Sequence, residues 1–230
     1  MNKILSKLPL FYSVASVIVI VVSWLGAYYG MGVRSMLCAD GIRWFVENFI
    51  SNIKQSPLVE IIFLLMSLSV VVESGLLKVF SGNLSPKQRR SIQLTISVCF
   101  LYLLLLAILS LPPSSILLSA FGTFSDSSLS KGAFAIVVVW LLLLGNFYGY
   151  VSGRFITYDD FILAHCERLK SSLPLVLTII AASQFIAFVN YTFGELTSNY
   201  AFFLSLFVYY IPVLLHLVSW KLFLSFFQHR

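Results

Sequence analysis

Charged residues are scarce in this sequence, and their scarcity excludes most classes of protein. Only 10% of the 230 residues are Asp, Glu, Lys or Arg, whereas 59% are hydrophobic. A soluble globular domain carries about 25% charged residues, so this chain has too few to cover a water-facing surface. The composition excludes a soluble enzyme, a disordered regulator and a nucleic-acid-binding protein, and it leaves a polytopic membrane protein.

The sequence also lacks the common motifs of catalysis and metal binding. It has no HExxH, GxSxG or P-loop pattern and no paired Cys/His spacing. Its three cysteines, Cys38, Cys99 and Cys166, are too few for a disulfide scaffold, and we expect free thiols. These absences predict a protein that is not an enzyme and that has no metal or cofactor.

Six stretches are apolar over about the 20 residues that a helix needs to cross a bilayer. Because lipid offers the backbone no hydrogen-bond partners, each stretch is expected to be a helix. The predicted fold is therefore an all-α polytopic membrane protein, a single transmembrane domain over residues 1–230. The six spans are approximately Leu8–Tyr29, Pro57–Phe80, Ile92–Leu111, Gly132–Ser152, Leu173–Phe193 and Ala201–Trp220.

The basic residues favour one orientation of these spans. With the N-terminus in the cytoplasm, all but four of the 15 Lys and Arg residues fall on the cytoplasmic side. The positive-inside rule then predicts cytoplasmic N- and C-termini in the cell membrane, most simply a bacterial inner membrane. Lys3 and Lys7 before the first span resemble a signal peptide, but the long apolar run without an A-x-A site favours a retained helix. The four outer basic residues are Arg34, Arg43, Lys54 and Lys131.

Two shorter helices are predicted between the spans. On the outside, Asp40 is expected to cap an amphipathic helix to about Ile53, lying in the membrane interface or packed on the bundle's outer end. On the inside, Thr157-Tyr158-Asp159-Asp160 resembles a capping box that opens a short helix to about Ser171. The outer helix has one apolar stripe at helical spacing, formed by Ile42, Phe45, Val46, Phe49, Ile50 and Ile53.

Polar side chains are concentrated in the outer half of span five. Ser183 and Asn190 share one helix face, and Gln184 and Tyr191 lie on the adjacent row. Thr192 is next in the chain, and Gly194 permits a break in the helix shortly after it. A polar face that ends at a broken helix is typical of substrate sites in transporters. Hydrogen bonds that hold neighbouring helices together are the alternative, and the sequence leaves both open.

Two ionisable residues inside the spans are further candidates, because such groups are costly in lipid. Glu73 lies near the inner end of span two, either as an interfacial partner of Lys78 or as a functional carboxylate. His216 in span six is interpreted as a hydrogen-bonded packing residue.

Glycines recur at four-residue spacing near the inner end of span four. Gly145, Gly149 and Gly153 predict close helix packing, within the chain or across a dimer. Asn146, Tyr148 and Tyr150 lie among these glycines and could equally face a cavity.

Several of these segments, in order, resemble the p-aminobenzoyl-glutamate transporter (AbgT) family. The first block pairs Asp40-Gly41-Ile42-Arg43-Trp44 with Val72-Glu73-Ser74-Gly75-Leu76. The second begins at Leu129-Ser130-Lys131-Gly132 and continues through Tyr148-Gly149 and Asp159-Asp160. It ends in Gln184-Phe185-Ile186-Ala187-Phe188-Val189-Asn190-Tyr191-Thr192, similar to the family's Q-F-I-A-x-x-N-x-(S/T) run.

The resemblance implies a dimeric transporter of p-aminobenzoyl-glutamate-like aromatic anions or antimetabolites. Gln184, Asn190, Tyr191 and Thr192 would then bind the substrate, and Glu73 would be the coupling carboxylate. Family members also carry re-entrant hairpins, whereas a short basic loop occupies residues 81–90 here. The alternative is therefore a non-transporting scaffold, equivalent to the family's framework and dimerisation core, that pairs with itself or with another membrane protein.

Overall fold

The computed structural model describes residues 7–81, 85–111, 116–118, 127–197 and 200–219, and these residues form helices and no strands. The predicted all-α class is confirmed. Leu76–Ser81 forms a 3₁₀ helix between α3 and α4. The α-helices are α1 Leu8–Tyr28, α2 Ala39–Lys54, α3 Leu58–Glu73, α4 Pro86–Ser110, α5 Ser128–Lys131, α6 Ala133–Ser152, α7 Tyr158–Ser171, α8 Leu173–Thr197 and α9 Ala201–Ser219.

Five helical stretches in the described part of the chain are long and apolar enough to cross a membrane. Many of their large apolar side chains are exposed, as expected where lipid is the solvent. The sixth predicted span is also a helix, α9, but its apolar part, Phe203–Leu217, is shorter, so its crossing stays a prediction, as does the orientation. The five stretches are Leu8–Tyr28, Ala39–Glu73, Pro86–Ser110, Ala133–Ser152 and Leu173–Gly194.

The second predicted span ends earlier than its apolar sequence indicates. Its helix, α3, stops at Glu73, and Gly75 follows with a φ of 76°. That left-handed conformation is open to glycine at little cost and ends a helix readily. The apolar residues after it belong to the 3₁₀ helix.

The chain divides into two compact units. The first consists of Met1–Val59 and Ser171–Arg230. In this unit α8 is central, since α1, α2 and α9 all pack along it. The Tyr12 hydroxyl of α1 donates a hydrogen bond to the Val208 carbonyl of α9 at 3.4 Å. The His216 Nε2 lies 2.7 Å from the buried Ser172 Oγ, so His216 is a hydrogen-bonded packing residue, as predicted.

The amphipathic helix α2 has close to its predicted bounds, but a different cap. The Cys38 Sγ accepts the Gly41 N–H at 3.3 Å and caps the helix, whereas Asp40 lies inside the first turn and pairs with Arg43. The prediction of Asp40 as the cap was therefore wrong by two residues. Most of the apolar stripe turns away from the unit, with Val46 72% exposed, but Phe45 packs against Phe188 of α8 with ring centroids 5.3 Å apart.

The second unit, Glu60–Lys170, is built from α3, α4, α6 and α7. The buried Ser69 of α3 donates its hydroxyl to the Ala164 carbonyl of α7 at 2.6 Å and accepts the Arg168 N–H at 3.2 Å. The predicted capping box of α7 is confirmed, since the Asp160 carboxylate accepts the Thr157 N–H at 2.9 Å while the Thr157 hydroxyl accepts the Asp160 N–H at 3.2 Å.

The three glycines at four-residue spacing all have neighbours within this unit. A Cβ at Gly145 would lie 2.8 Å from a methyl of Val70 and 2.9 Å from the Val71 nitrogen, so α3 and α6 approach too closely for a side chain there. Gly149 lies under the ring of Phe155. Gly153 ends α6 with a φ of 77°.

Candidate functional site

The polar segment of α8 ends where the helix is distorted. Phe193 has φ −118° and ψ 20°, outside the helical region, next to Gly194 where the sequence allows a break. The carbonyl of Thr192 accepts a hydrogen bond at 3.3 Å from the backbone N–H of Arg34, which belongs to the segment between α1 and α2. The distortion therefore brings a basic residue to the polar end of α8.

A cavity of about 380 Å³ lies beside this segment, inside the first unit. Its wall is mostly polar or aromatic, and it includes two of the predicted substrate-binding residues, Asn190 and Tyr191. The lining residues are Arg34, Trp44, Asn52, Gln55, Ser183, Ile186, Ala187, Asn190, Tyr191, Ser205 and Tyr209.

Gln184 does not line this cavity, although the sequence predicts it as a substrate ligand. Its Oε1 accepts a hydrogen bond from Asn52 Nδ2 at 3.2 Å, and its Nε2 donates one to the Phe49 carbonyl at 2.9 Å. Both partners belong to α2. In the structure Gln184 holds α2 against α8 beside the cavity and orients Asn52, which lines it.

Two aromatic rings and one cation form the part of the wall nearest the distortion. The rings of Trp44 and Tyr191 stack with centroids 4.4 Å apart and planes 29° apart. Arg34 is exposed and lines both this cavity and a neighbouring one of about 340 Å³. The pair of rings offers a flat apolar surface, while the guanidinium offers a fixed positive charge and several donors.

Thr192, the fourth predicted substrate-binding residue, lines the neighbouring cavity rather than the first. Its side chain is buried, and its Oγ1 has no hydrogen-bond partner in the described part of the chain. A helical threonine ordinarily satisfies its hydroxyl on a carbonyl one turn back. Thr192 therefore carries an unsatisfied hydroxyl one residue before the distortion.

Glu73 belongs to the second unit and makes its contacts there. Its Oε1 pairs with Arg168 Nε at 3.2 Å, and its backbone carbonyl accepts a hydrogen bond from the Arg154 guanidinium at 3.0 Å. The carboxylate and the guanidinium are each about one third exposed, so the pair is hydrated. The structure thus gives Glu73 an arginine partner.

The sequence pattern did not single out several of the lining residues. Trp44 and Asn52 are eight residues apart on α2, so the helical period could have placed both on one side of the helix, at the edge of the apolar stripe. Arg34 lies outside any helix, where no period applies. Its one signal was its position, as a basic residue on the outer side, where such residues are rare.

The described residues contain no cluster of three or more His, Cys, Asp or Glu side chains that could hold a metal ion. No protein-family model, curated protein or solved structure matches the chain. The fold and the apolar helices define an all-α integral membrane protein.

Proposed function

We propose that this membrane protein transports a small aromatic anion, which binds in the cavity beside α8. The cavity has a volume typical of small-molecule sites, about 300–1,000 Å³. Arg34 supplies the positive charge, and the Trp44–Tyr191 pair supplies a surface on which a ring can stack. Asn52 and Asn190 supply amide groups that can bind polar parts of the same ligand.

The observation that carries this proposal is the meeting of Arg34 with the polar segment of α8 at its distortion. In a helix crossing lipid, polar side chains and irregular backbone are tolerated where they line a cavity or are buried in protein. Here they line a cavity together with a cation. An interface that served only to hold helices together would need neither Arg34 nor open space.

The ligand class follows from this chemistry and from the resemblance to the p-aminobenzoyl-glutamate transporter family. p-Aminobenzoyl-glutamate has an aromatic ring, an amide and two carboxylates, which match the stacked rings, the amide side chains and Arg34. We propose that the chain is a member of that family, with both termini cytoplasmic in a bacterial inner membrane. Asn190 and Tyr191 contact the ligand, Thr192 extends the route into the neighbouring cavity, and Gln184 positions Asn52.

Glu73 is proposed as the coupling carboxylate, and its pairing with Arg168 supplies a counter-charge for its ionised form. The variant Glu73→Gln keeps the shape of the side chain but removes its charge. We expect it to bind ligand as the unmodified protein does and to lose the response of uptake to an imposed pH gradient. Binding that falls together with uptake would assign Glu73 to folding instead.

Uptake of labelled p-aminobenzoyl-glutamate into proteoliposomes tests the proposed function. We expect saturable uptake above that of empty liposomes, and we expect Arg34→Gln to reduce it at least about tenfold, as expected for loss of a charge-assisted hydrogen bond. Arg43→Gln is the matched control, because Arg43 is exposed on α2 and does not line the cavity.

Absence of saturable uptake by a folded protein would contradict transport of this anion. The scaffold hypothesis then makes its own prediction, since purification in mild detergent should yield a stable homodimer or a stoichiometric membrane partner. A folded monomer without a partner would contradict that hypothesis as well.

A further inference from the structure

A second, larger cavity lies within the other unit and takes no part in the proposed transport. It has a volume of about 590 Å³ and lies between α6 and the segment that opens α7. Five aromatic side chains dominate its wall, and Asn146 is the one amide among the residues that line it. No acidic or basic side chain is among these lining residues. The five aromatic residues are Phe147, Tyr150, Phe155, Tyr158 and Phe161.

The hydrogen bonds of His165 fix how the Asn146 amide is oriented. His165 Nδ1 lies 2.7 Å from the Phe161 carbonyl, which can only accept, so in the neutral imidazole Nδ1 carries the proton. The His165 Nε2 is then an acceptor, and Asn146 Nδ2 donates to it at 3.4 Å. This assignment rests on donor and acceptor chemistry. It means that His165 hydrogen-bonds the nitrogen of the Asn146 amide and not its oxygen.

The Asn146 Oδ1 is buried and has no hydrogen-bond partner among the residues that the structure describes. A buried acceptor without a donor is unfavourable, and native proteins rarely keep one unless a water, an ion or a ligand completes it. Asn146 lines the cavity, so a rotation of its amide toward the opening would let the O–H group of an occupant donate to this oxygen. The aromatic wall favours a flat ring, and the absence of charged lining residues favours a neutral molecule.

We propose that this cavity binds a neutral, lipophilic phenol, whose hydroxyl donates to Asn146 Oδ1 and whose ring packs among the five aromatic side chains. The cavity volume is in the range of small-molecule sites. A lipid acyl chain could fill the same space but would leave the Asn146 oxygen unpaired. The proposal concerns the second unit alone and does not depend on the proposed transport.

Two probes, one with the hydroxyl donor and one with that hydroxyl methylated, test this proposal. 2-Naphthol carries the hydroxyl, whereas 2-methoxynaphthalene keeps the ring and the oxygen but has no O–H. Binding of each is measured by equilibrium dialysis against the full-length protein in lipid nanodiscs, with empty nanodiscs subtracted. We expect saturable binding of 2-naphthol that is about fivefold tighter than that of the ether, the effect of one net hydrogen bond.

Asn146→Leu should bind both probes equally, because it removes the acceptor and keeps the branched shape of the side chain. Gln93→Leu is the matched control, since Gln93 is exposed on α4 and does not line the cavity, and it should keep the fivefold difference. Equal binding of the two probes to the unmodified protein would overturn the proposal, as would binding of neither. A preference for 2-naphthol that survives in Asn146→Leu would overturn the role of Asn146.

Discussion

The side-chain amide of Asn52 on α2 donates a hydrogen bond to Gln184 Oε1 on α8 at 3.2 Å, across 132 residues of sequence. Both side chains are buried, and Gln184 makes a second hydrogen bond to the Phe49 carbonyl. Because Asn52 lines the cavity, this pair joins the packing of α2 to the shape of the candidate site. Stability and ligand binding should therefore respond differently to changes at the two residues.

Replacing Gln184 with Leu should destabilise the protein by about 1–2 kcal/mol, because it leaves the Asn52 amide buried without its acceptor. The double variant Asn52→Leu/Gln184→Leu should recover part of that loss, since both polar groups are then gone. Thermal denaturation in mild detergent measures both effects. Gln93→Leu, an exposed amide in α4, should change the melting temperature little.

If Gln184→Leu were as stable as the unmodified protein while uptake disappeared, Gln184 would be a ligand-binding residue, as the sequence predicted. Equal losses in the single and double variants would show that the amide pair is not the source of the stability.

Replacing Gly145 with Ala should separate α3 from α6. The added Cβ would lie under 3 Å from Val70 and from the backbone of Val71, and a backbone neighbour cannot move aside as a flexible side chain can. We expect a loss of about 1–3 kcal/mol, typical of overpacking, measured by the same denaturation. Gly194→Ala is the control, because no atom lies within 4 Å of its Cβ position.

A stable Gly145→Ala variant that fails to dimerise would contradict this assignment and would place the glycine at an interface between two copies of the chain.

The start of α7 should lose stability in acid. The carboxylate of Asp160 accepts hydrogen bonds from the N–H and the hydroxyl of Thr157 and from the N–H of Ile156. These hydrogen bonds hold the pKa of Asp160 below its ordinary value. A lowered pKa in the folded state stabilises the protein at pH values above the pKa of a free Asp, about 3.9. That contribution is lost as the pH falls through the lowered pKa.

Hydrogen exchange of the first-turn amides of α7, followed from pH 6 to pH 3, measures this loss. We expect protection to fall with pH in the unmodified protein and in Asp159→Asn, whose carboxylate is not part of the capping box. In Asp160→Asn protection should be lower throughout and nearly independent of pH. A pH dependence that persists in Asp160→Asn would contradict the assignment.

The sequence predicted those features that depend on local pattern. The apolar runs predicted membrane-spanning helices, and five helical stretches in the described part of the chain are long enough to span a membrane. Thr157 and Asp160 predicted the α7 cap. Gly194 indicated the distortion that the structure has at Phe193. Each depends on residues within one or two helical turns of each other. The cap of α2 was missed because a cysteine side chain takes the place that Asp40 was expected to fill.

Long-range pairing could not be predicted from the sequence. Gln184 and Asn190 lie on neighbouring rows of one helix, and the helical period cannot tell which row meets α2 and which meets open space. The structure assigns Gln184 to the contact and Asn190 to the cavity. Arg34 reaches the cavity through a hydrogen bond between its backbone and Thr192, which no side-chain pattern indicates.

Ligand protection of a cysteine at position 190 tests whether an aromatic anion occupies the cavity that Asn190 lines. The variant Asn190→Cys, with Cys38 replaced by Ser to keep the α2 cap and with Cys99 and Cys166 replaced by Ala, is reconstituted and treated with a membrane-impermeant maleimide. We predict labelling from the outer side that slows about tenfold when p-aminobenzoyl-glutamate is present at ten times its Kd, because about one site in eleven stays empty. A labelling rate that does not change with ligand would contradict binding of this anion in the cavity.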